Sequence, residues 1–408
     1  MSKPSTLGLK RGTVQLVPHS PQWAELFEVE KQLLTKAFGD IIISIEHVGS
    51  TSIPGIPAKP IIDMNIGVAS LEVAREMHDG FAELGYEYRP SVPGHTDDGL
   101  DLRELYVRGP ESRRTHYAHV AVYESDFWSD VLLFRDHLRQ NTERAQDYAE
   151  LKTRLAQQFP NDRGAYTKGK ELFVLLTLYV AELAGFLGND LLGVYLYGSL
   201  ARGCHNGTTS DVDMIIVVRG SCSGLDASRV LELHRNSAIP IDAKFVTEDQ
   251  IHLDAFPPPV EFLVKMIDGW KIVHAPEGRR DFLLDRQDAY EAGKALFGPQ
   301  PRDLLRPVPW PLLAESLEYL FPYIVTHFKN PVLMLCRIAY AWTHRSLCSK
   351  KGAGEWAAEA FGGQWSPLIT TALEEYAQGV YKTTSTPEEL HAFEDFCAGY
   401  IHTVLLRP

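Results

Sequence analysis

The chain has 408 residues, enough for two or three domains that each bury a core of their own. It is 45% apolar and 23% charged, as in ordinary water-soluble proteins, and its formal charge of −13 argues against a nucleic-acid partner, because phosphate binding needs a basic surface. Five cysteines without CxxC spacing exclude a disulfide framework and a zinc site, and they indicate free thiols in a reducing compartment.

No segment of the sequence predicts a membrane partner. The longest apolar stretch, residues 172–181, ends at Glu182 and is too short to cross a bilayer. The N-terminus lacks the charged and apolar regions of a secretory leader. We therefore expect a cytoplasmic protein.

The first part of the chain predicts an α/β unit, because runs with strand character alternate with helical periodicity. In chain order the predicted elements are a helix over 21–38, strands over 41–45, 61–68, 105–107 and 119–123, a long helical pattern that begins at Ser125, and an apolar helix over 172–187.

The rest of the chain predicts a second unit followed by helices. The predicted strands are 193–197, 212–218 and 239–246, and the middle one is apolar on both faces, as in a buried central strand. The prolines at 257–259 end this pattern, and the sequence after them is helical in pattern, including 312–328, 331–347 and 366–381.

The predicted fold class is therefore α/β (α+β), with two mixed-sheet domains and a C-terminal α-helical domain. The predicted domain boundaries are 1–178, 179–258 and 259–408.

Two distant parts of the sequence share one pattern, which predicts two copies of one fold. Gly49-Ser50 is followed after 13 residues by Asp63, and Gly198-Ser199 is followed after 12 residues by Asp211, counting from the serine. Both pairs follow a predicted strand and precede an apolar one.

The second copy contains the residues that a metal-dependent phosphoryl site needs. Gly198 allows close approach of the backbone to a phosphate, and Ser199 can donate a hydrogen bond to it. Asp211 and Asp213 are two apart on a strand and therefore point the same way. Adjacent carboxylates of this kind favour Mg²⁺, which binds oxygen ligands together with substrate phosphates.

A third carboxylate is expected from a neighbouring strand, and Asp242 is the best candidate because it lies in an otherwise apolar run. It could complete the metal site or accept the proton of an attacking hydroxyl group. The structural alternative is that Asp211 and Asp213 cap a helix or lie in a turn, and that Asp242 pairs with Lys244.

From about residue 193 to 379 the chain resembles the streptomycin/spectinomycin adenylyltransferases, a family of antibiotic-modifying enzymes in the DNA polymerase β-type nucleotidyltransferase superfamily. The matching residues are Leu196-Tyr197-Gly198-Ser199, Ser210-Asp211-Val212-Asp213, the helical run from Asn330 through Arg337 to Tyr340, Ser349-Lys350 and Glu355-Trp356-Ala357.

This resemblance implies a set of roles. Asp211 and Asp213 would bind Mg²⁺ and Asp242 would act as the base, while Arg337 and Lys350 would reach the phosphates of ATP. The glycine and the two serines of the motifs would contact the triphosphate; they are Gly198, Ser199 and Ser210. From the residues alone, Arg337 and Lys350 are better interpreted as solvated charges.

The resemblance departs from the family just before Asn330. The family has acidic residues there that hold the amines of the antibiotic, whereas this chain reads Thr326-His327-Phe328-Lys329. The departure concerns the binding of a polycationic acceptor and leaves adenylyl transfer itself untouched.

The first 178 residues resemble the GrpB family (UPF0157-type). The matching residues are His47-Val48-Gly49-Ser50-Thr51, Ala58-Lys59-Pro60-Ile61-Ile62-Asp63, His119-Val120, Phe134 through Arg139, Asp162-Arg163 and Ala165-Tyr166.

In this first copy Asn65 stands where a second aspartate is expected. An amide binds Mg²⁺ far less well than a carboxylate, so the metal-dependent chemistry of this copy should be lost or weakened. The residues of this second, degenerate site are Gly49, Ser50, Asp63 and His119. His116 and His119 should point to opposite faces of a strand, and Lys59 and Arg108 could bind an anion or be solvated.

The sequence thus predicts a magnesium-dependent nucleotidyltransferase that moves AMP from ATP to a hydroxyl group of a small molecule, possible acceptors including an aminoglycoside-like antibiotic. Two alternatives stay open. One is transfer to a macromolecule such as tRNA or a protein, and the other is a non-catalytic nucleotide-binding sensor.

Overall fold

The computed structural model describes residues 7–90, 103–204, 211–220, 226–237, 239–266, 269–275, 278–379 and 385–405. The chain divides into two compact units, Met1–Ala181 and Glu182–Pro408. The boundary at residue 181 lies close to the predicted one at 178, and the strands and helices beyond it form one compact unit.

The first unit consists of a mixed sheet with helices around it. Its strands are β1 (Ser44–Val48), β2 (Ile62–Val68), β3 (Tyr86–Arg89), β4 (Arg103–Arg108) and β5 (His116–Val122). Its helices are α1 (Gln22–Phe38), α2 (Leu71–Glu76), α3 (His78–Glu83), α4 (Asp126–Gln140), α5 (Thr142–Gln158), α6 (Arg163–Lys168) and the first part of α7 (Glu171–Leu187).

The sheet of the first unit has the order β1-β2-β5-β4-β3. Only the β2–β5 pair is parallel, and Asp63 on β2 is opposite Tyr117 on β5. The interior strand β2 is buried along nearly its whole length, and Asp63 is its one partly exposed residue. The apolar face of the sheet packs with α1, whose Trp23 and Leu34 have no exposed surface.

The second unit combines a larger mixed sheet with a group of helices. Its strands are β6 (Leu191–Tyr197), β7 (Val212–Val218), β8 (Ile241–Thr247), β9 (Val260–Met266), β10 (Trp270–Ala275) and β11 (Lys294–Phe297). Its helices after α7 are α8 (Gly198–Ala201), α9 (Ala227–Asn236), α10 (Glu248–Ile251), α11 (Phe282–Ala292), α12 (Pro301–Leu304), α13 (Trp310–Leu320), α14 (Ile324–His327), α15 (Pro331–His344), α16 (Lys350–Phe361), α17 (Trp365–Ala377) and α18 (Pro387–Leu405).

The second sheet has the order β10-β9-β8-β7-β6-β11, and its only parallel pair is β7–β8. From β6 to β10 the strand directions repeat those of the first sheet from β1 to β3. The connections differ, because the third position is filled by the next strand in the second unit (β8) and by the last strand in the first unit (β5). The repeated sequence pattern therefore marks a shared sheet core reached by different chain paths.

The C-terminal helices have a core of their own, centred on α15. Leu333, Leu335 and Cys336 are fully buried on this helix, and Phe393 and Cys397 of α18 pack in the same core. Every one of the cysteines within the described residues is a free thiol, as the sequence predicted.

Most predicted elements are present with shifted ends, but three predictions need correction. The expectation that the chain is helical after residues 257–259 fails, because β9, β10 and β11 follow and belong to the second sheet. The predicted strand over 41–45 begins only at Ser44, since Gly39–Ile41 form a 3₁₀ turn. The long pattern that begins at Ser125 divides at Asn141 into α4 and α5.

One helical stretch, residues 163–190, is long and apolar enough to cross a membrane by length and composition alone. A core helix of a soluble protein meets the same criterion. Within this stretch α7 buries Tyr179, Val180 and Leu183 almost completely.

Candidate functional site

The motif residues of the second unit line one cavity of about 610 Å³. Its wall includes both parts of the predicted phosphoryl site, namely Gly198, Ser199, Asp211, Asp213, Arg337 and Lys350. Residues that lie more than 100 positions apart in the sequence therefore meet at one place. Ser210, which the resemblance adds to the site, lies outside the described residues.

Position 198 needs a glycine because its backbone lies very close to the side chain of Asp213. The two residues are neighbours because Tyr197, at the end of β6, is opposite Asp213 on β7. Gly198 has φ +70°, and a Cβ at this position would lie 2.4 Å from Asp213 Oδ2. Its backbone N–H donates to Asp288 Oδ2 at 2.8 Å, so this amide already has an acceptor within the chain.

Asp213 is a partly buried carboxyl group beside other acids. Burial raises its pKa to about 6; Lys244 opposes this shift, and Asp242 and Asp211 add to it. Asp211 is exposed at the mouth of the same cavity. A partly buried, poorly neutralised carboxylate next to a second one is the arrangement that favours a bound cation.

Asp242 lies on β8 directly opposite Asp213, on the neighbouring strand that the sequence predicted. Its Oδ2 is 2.9 Å from Lys265 Nζ, and its Oδ1 is 3.6 Å from Lys244 Nζ. Burial opposes its ionisation, but the two lysines outweigh burial and lower its pKa. The pairing with Lys244 that the sequence offered as the alternative is thus present, together with a second and closer lysine.

The buried Lys244 links several groups below the cavity. Its side chain is 4% exposed, donates to the hydroxyl group of Tyr197 and lies 3.2 Å from Asp285 Oδ2. Burial lowers the pKa of this lysine, but Asp285, Asp242 and Asp213 together raise it above its usual value. It therefore remains charged and offsets part of the negative charge of the site.

An acidic face on α11 was missed from the sequence. Asp281, Asp285 and Asp288 all line the cavity, and their spacing of four and then three residues places them on one side of the helix. Burial raises the pKa of Asp285 to about 7. Asp288 also accepts a hydrogen bond from Arg202 Nε at 2.8 Å. The same spacing, read along residues 281–288, is the signal that could have identified them.

Arg337 and Lys350 are cavity residues, and the interpretation of both as solvated charges was wrong. Arg337 Nε donates to the carbonyl oxygen of Cys348 at 2.8 Å, which holds the side chain against the start of α16. Burial and the charge of Arg337 lower the pKa of Lys350 to about 8. Lys265 and Lys329 also line the cavity, and neither was predicted.

The carboxylates of the cavity fit Mg²⁺ only if water and substrate phosphates supply its remaining ligands. Within the described ranges, no group of three His, Cys, Asp or Glu side chains is arranged to hold a metal ion by itself. Mg²⁺ commonly uses one or two carboxylates and completes its shell with water and substrate phosphates. Asp211 and Asp213 meet this requirement, and Asp242 Oδ1 is a buried oxygen without a hydrogen-bond partner beside them.

The first unit repeats the glycine–aspartate contact. Gly49 has φ +65°, and a Cβ there would lie 2.5 Å from Asp63 Oδ2. His119 Nε2 is 4.0 Å from Asp63 Oδ1, so these two residues are close, as predicted. His116 lies on the opposite face of the strand, near Glu30.

The strand register shows which residues of the two motifs correspond, and it differs from the correspondence that the sequence predicted. Val48 is opposite Asp63 just as Tyr197 is opposite Asp213, so Asp63 corresponds to Asp213 and not to Asp211. The residue missing from the first unit is the earlier aspartate, whose place is taken by Ile61. Asn65 instead corresponds to a buried core position and has no exposed surface.

Comparison with known proteins finds family matches for a segment of each unit. The family profile described as GrpB protein matches residues 13–178, and the profile described as aminoglycoside adenylyltransferase, C-terminal domain, matches residues 303–399. The glutamate-rich protein GrpB of Alkalihalophilus pseudofirmus is 38% identical over 169 residues, which are 41% of this chain and 95% of that protein.

Two solved structures are similar to parts of the chain. The conserved protein GrpB from Enterococcus faecalis is 33% identical, with a TM-score of 0.37, over 41% of this chain and 96% of that one. The spectinomycin adenyltransferase AAD(9) of an Enterococcus, solved with ATP and spectinomycin, is 17% identical, with a TM-score of 0.44, over 56% of this chain and 98% of that one. Through residues 13–178 this chain belongs to the GrpB family, and the GrpB domain is fused to a part whose residues 303–399 match the C-terminal domain of aminoglycoside adenylyltransferases.

Proposed function

We propose that the second unit is a magnesium-dependent nucleotidyltransferase that moves AMP from ATP to a hydroxyl group of a small molecule. The observation that supports this most directly is the single cavity that joins the glycine–serine turn and the motif aspartates to Arg337 and Lys350. The cavity is lined by both carboxylates and cations, which suit a triphosphate whose metal and whose phosphate oxygens need partners of opposite charge.

Asp211 and Asp213 would hold Mg²⁺ in this function. When bound, the ion would neutralise charge at the α-phosphate and on the leaving pyrophosphate. The raised pKa of Asp213 supports this role, because a nearby cation would relieve the cost of its buried charge.

Arg337 and Lys350 would bind the phosphates. Arg337 is anchored through Nε alone to a carbonyl oxygen, and its Nη1 contacts only the sulfur of Met334 among the described residues, at 3.9 Å. A phosphate near Lys350 would raise the pKa that burial lowers. The lysine would then be protonated when it donates a charge-assisted hydrogen bond to the phosphate.

Asp242 would accept the proton of the acceptor hydroxyl group. It lies beside Asp213 in the register, and the two lysines that lower its pKa keep it ionised at neutral pH. Its Oδ1 has no hydrogen-bond partner within the described residues. It is buried and Asp242 does not line the cavity, so the acceptor hydroxyl group would have to reach it past Asp213.

The acceptor is expected to be less cationic than a typical aminoglycoside. His327, Phe328 and Lys329 line the cavity, so the stretch that departs from the family does face the site. A lysine there repels amines. Of the acids on α11, Asp288 is already engaged by Gly198 and Arg202, which leaves fewer carboxylates for a polycation.

The test is pyrophosphate release with Mg²⁺ from ATP, GTP, CTP and UTP, against a panel of aminoglycosides, lincosamides and nucleoside antibiotics. Release that needs one acceptor should fall by about 100-fold or more in Asp213→Asn, because a catalytic metal supplies several kcal/mol. Asp226→Asn is the matched control, since Asp226 caps α9 outside the cavity and asparagine also caps helices.

Other outcomes would redirect the proposal. Labelling of tRNA or protein from a cell extract by labelled ATP would identify a macromolecular acceptor. ATP binding without pyrophosphate release under any of these conditions would contradict transfer and favour a nucleotide sensor.

A further inference from the structure

Basic side chains from separate segments of the first unit surround Asp63. Lys59 precedes β2 and Lys152 lies on α5, while Arg163 begins α6 and Lys170 lies between α6 and α7. Each of the four contributes to the electrostatic environment of Asp63 or of another member, so they form one group. We refer to Lys59, Lys152, Arg163 and Lys170 as the basic cluster.

Aromatic rings hold the basic cluster together. Lys59 Nζ and Lys170 Nζ lie 5.7 and 4.7 Å from the centre of the same ring, that of the buried Tyr166. Arg163 lies 5.2 Å from the ring of Tyr117, whose backbone is opposite Asp63 in the register. The cluster is therefore built around the end of β2 and is not a scatter of surface charges.

The glycine–serine turn of the first unit borders the same cluster. Lys152 Nζ lies 4.7 Å from the ring centre of Tyr148, and Ser50 is close enough to that tyrosine to oppose the rise of its pKa by burial. Lys152 itself donates to the carbonyl oxygen of Pro57 at 2.6 Å and is 1% exposed. Lys152 therefore adds positive charge to the site from the protein interior. The other three members remain at least partly accessible to solvent.

Carboxylates of the described residues do not neutralise this group. Other cations of the unit have close partners, such as Arg108, which lies 2.6 Å from Glu30, and Arg135, which lies 2.7 Å from Glu46. Within the described ranges no carboxylate comes within 4.0 Å of Lys59, Arg163 or Lys170, and the ion-pair contact found for Asp63 is with His119. Arg108 is thus excluded as an anion ligand, whereas Lys59 is not.

Burial and mutual repulsion make it unfavourable for the members of the basic cluster to be charged. Burial, with Arg163 and Lys170 adding to it, lowers the pKa of Lys59 to about 7. Burial likewise lowers the pKa of Lys170 to about 8. Burying and crowding like charges is unfavourable unless a partner of opposite charge is present. With one carboxyl group among four basic side chains, a bound anion would stabilise the protonated lysines and raise their pKa values again.

We propose that Lys59, Arg163 and Lys170, beside the Gly49-Ser50 turn, bind the phosphate groups of a small polyanion in the first unit. A group with two or more negative charges matches three converging cations, and the planar guanidinium of Arg163 suits paired phosphate oxygens. This site lies wholly within the first unit and does not depend on the transfer reaction proposed for the second.

The experiment is lysine acetylation footprinting of the intact chain by mass spectrometry at about pH 8, with EDTA present and tripolyphosphate as the probe. Lys59 and Lys170 should react readily, because their low pKa values leave much of each amine unprotonated. At a probe concentration of about ten times Kd their acetylation should fall by about tenfold, because only about one eleventh of the sites remains free. The exposed Lys168, two residues from Lys170, is the internal control and should be unaffected.

Because the readout is peptide by peptide, protection at Lys350 in the second unit is scored separately. Metal-free ATP and inorganic phosphate are further arms. Stronger protection by ATP than by tripolyphosphate would identify a nucleotide ligand, and equal protection would identify the phosphate chain alone as the recognised group.

The matched variants are Arg163→Gln and Arg154→Gln, both at exposed positions. Arg163→Gln should raise the tripolyphosphate concentration for half-protection by about tenfold, the usual worth of a charge-assisted hydrogen bond. Arg154→Gln should not. Absence of protection in the unsubstituted chain, or equal protection by sodium chloride at the same ionic strength, would overturn the proposal.

Discussion

Gly198 lies so close to Asp213 that a Cβ on the glycine would come within 2.4 Å of the Oδ2 atom of the aspartate. Gly49 and Asp63 have the same relationship at 2.5 Å in the first unit. In both units the strand before the glycine is opposite the strand of the aspartate. A glycine is therefore required at this position because the aspartate side chain leaves no room for a Cβ, as well as because φ is positive.

Gly198→Ala should abolish most transfer activity. The new methyl group would displace Asp213, and a misplacement of about 1 Å can cost about 100-fold in rate. Gly203→Ala is the control, because Gly203 has nearly the same φ (+71°) but no atom within 4 Å of its Cβ position. The control should lose about 1–2 kcal/mol of stability from backbone strain while it retains activity. Equal loss of activity in both variants, measured by pyrophosphate release, would show that strain alone matters.

The sequence could predict the motif but not its exact alignment between units. The spacing from serine to aspartate, 13 against 12 residues, pairs Asp63 with Asp211, whereas the register pairs it with Asp213. The loop between the two strands is one residue longer in the second unit, so counting from the serine selects the wrong one of two aspartates that point the same way. Only the strand pairing reveals which of the two aspartates corresponds to Asp63.

Lys350→Gln should raise the KM for ATP by about 10- to 100-fold, the loss expected when a charged hydrogen bond to a phosphate is removed. The neighbouring Lys351 is the matched control. Its side chain is 63% exposed and pairs with Glu355 at 3.7 Å. Lys351→Gln should change KM by less than about twofold, because exposed ion pairs contribute little. Steady-state kinetics with varied ATP measure both, and similar KM values for the two variants would remove Lys350 from the site.

The acids on α11 show a second limit of sequence reasoning. Motif spacing identifies residues close together in the chain, and it found Asp211, Asp213 and, one strand away, Asp242. Asp281 and Asp285 reach the cavity from a helix that follows β10, in a region predicted only as helical. Their periodicity was visible, but nothing in the sequence indicated which way that face of the helix points.

Lys329→Glu should shift acceptor preference toward cationic compounds. Lys329 lines the cavity where the adenylyltransferase family has acids, so a carboxylate there would attract amines that the lysine repels. We expect kcat/KM for polycationic aminoglycosides to rise by about tenfold relative to less cationic acceptors. Lys329→Gln, which removes the positive charge without adding a negative one, should give a smaller change in the same direction. No change in the ratio for either variant would exclude this residue from acceptor selection.

His47 should make the first unit sensitive to mild acid. Its ring stacks on Phe27 with centres 4.7 Å apart, and its Nε2 is 3.0 Å from Thr51 Oγ1. Burial, with smaller contributions from Arg139, Arg135 and His19, lowers its pKa to about 4 from the usual 6.5. The folded state therefore holds this histidine neutral, while the unfolded chain takes up a proton at higher pH.

The sign of the effect follows from that difference. Above pH 6.5 the histidine is neutral in both states and costs nothing; as the pH falls from 6.5 toward 4, proton uptake favours the unfolded chain, and up to about 3 kcal/mol of stability is lost. His47→Gln cannot take up the proton, so its free energy of unfolding, measured by urea denaturation, should fall less over this range. His391→Gln, at a site 62% exposed, should follow the unsubstituted chain. Parallel pH profiles for all three proteins would mean that His47 is not held neutral by its burial.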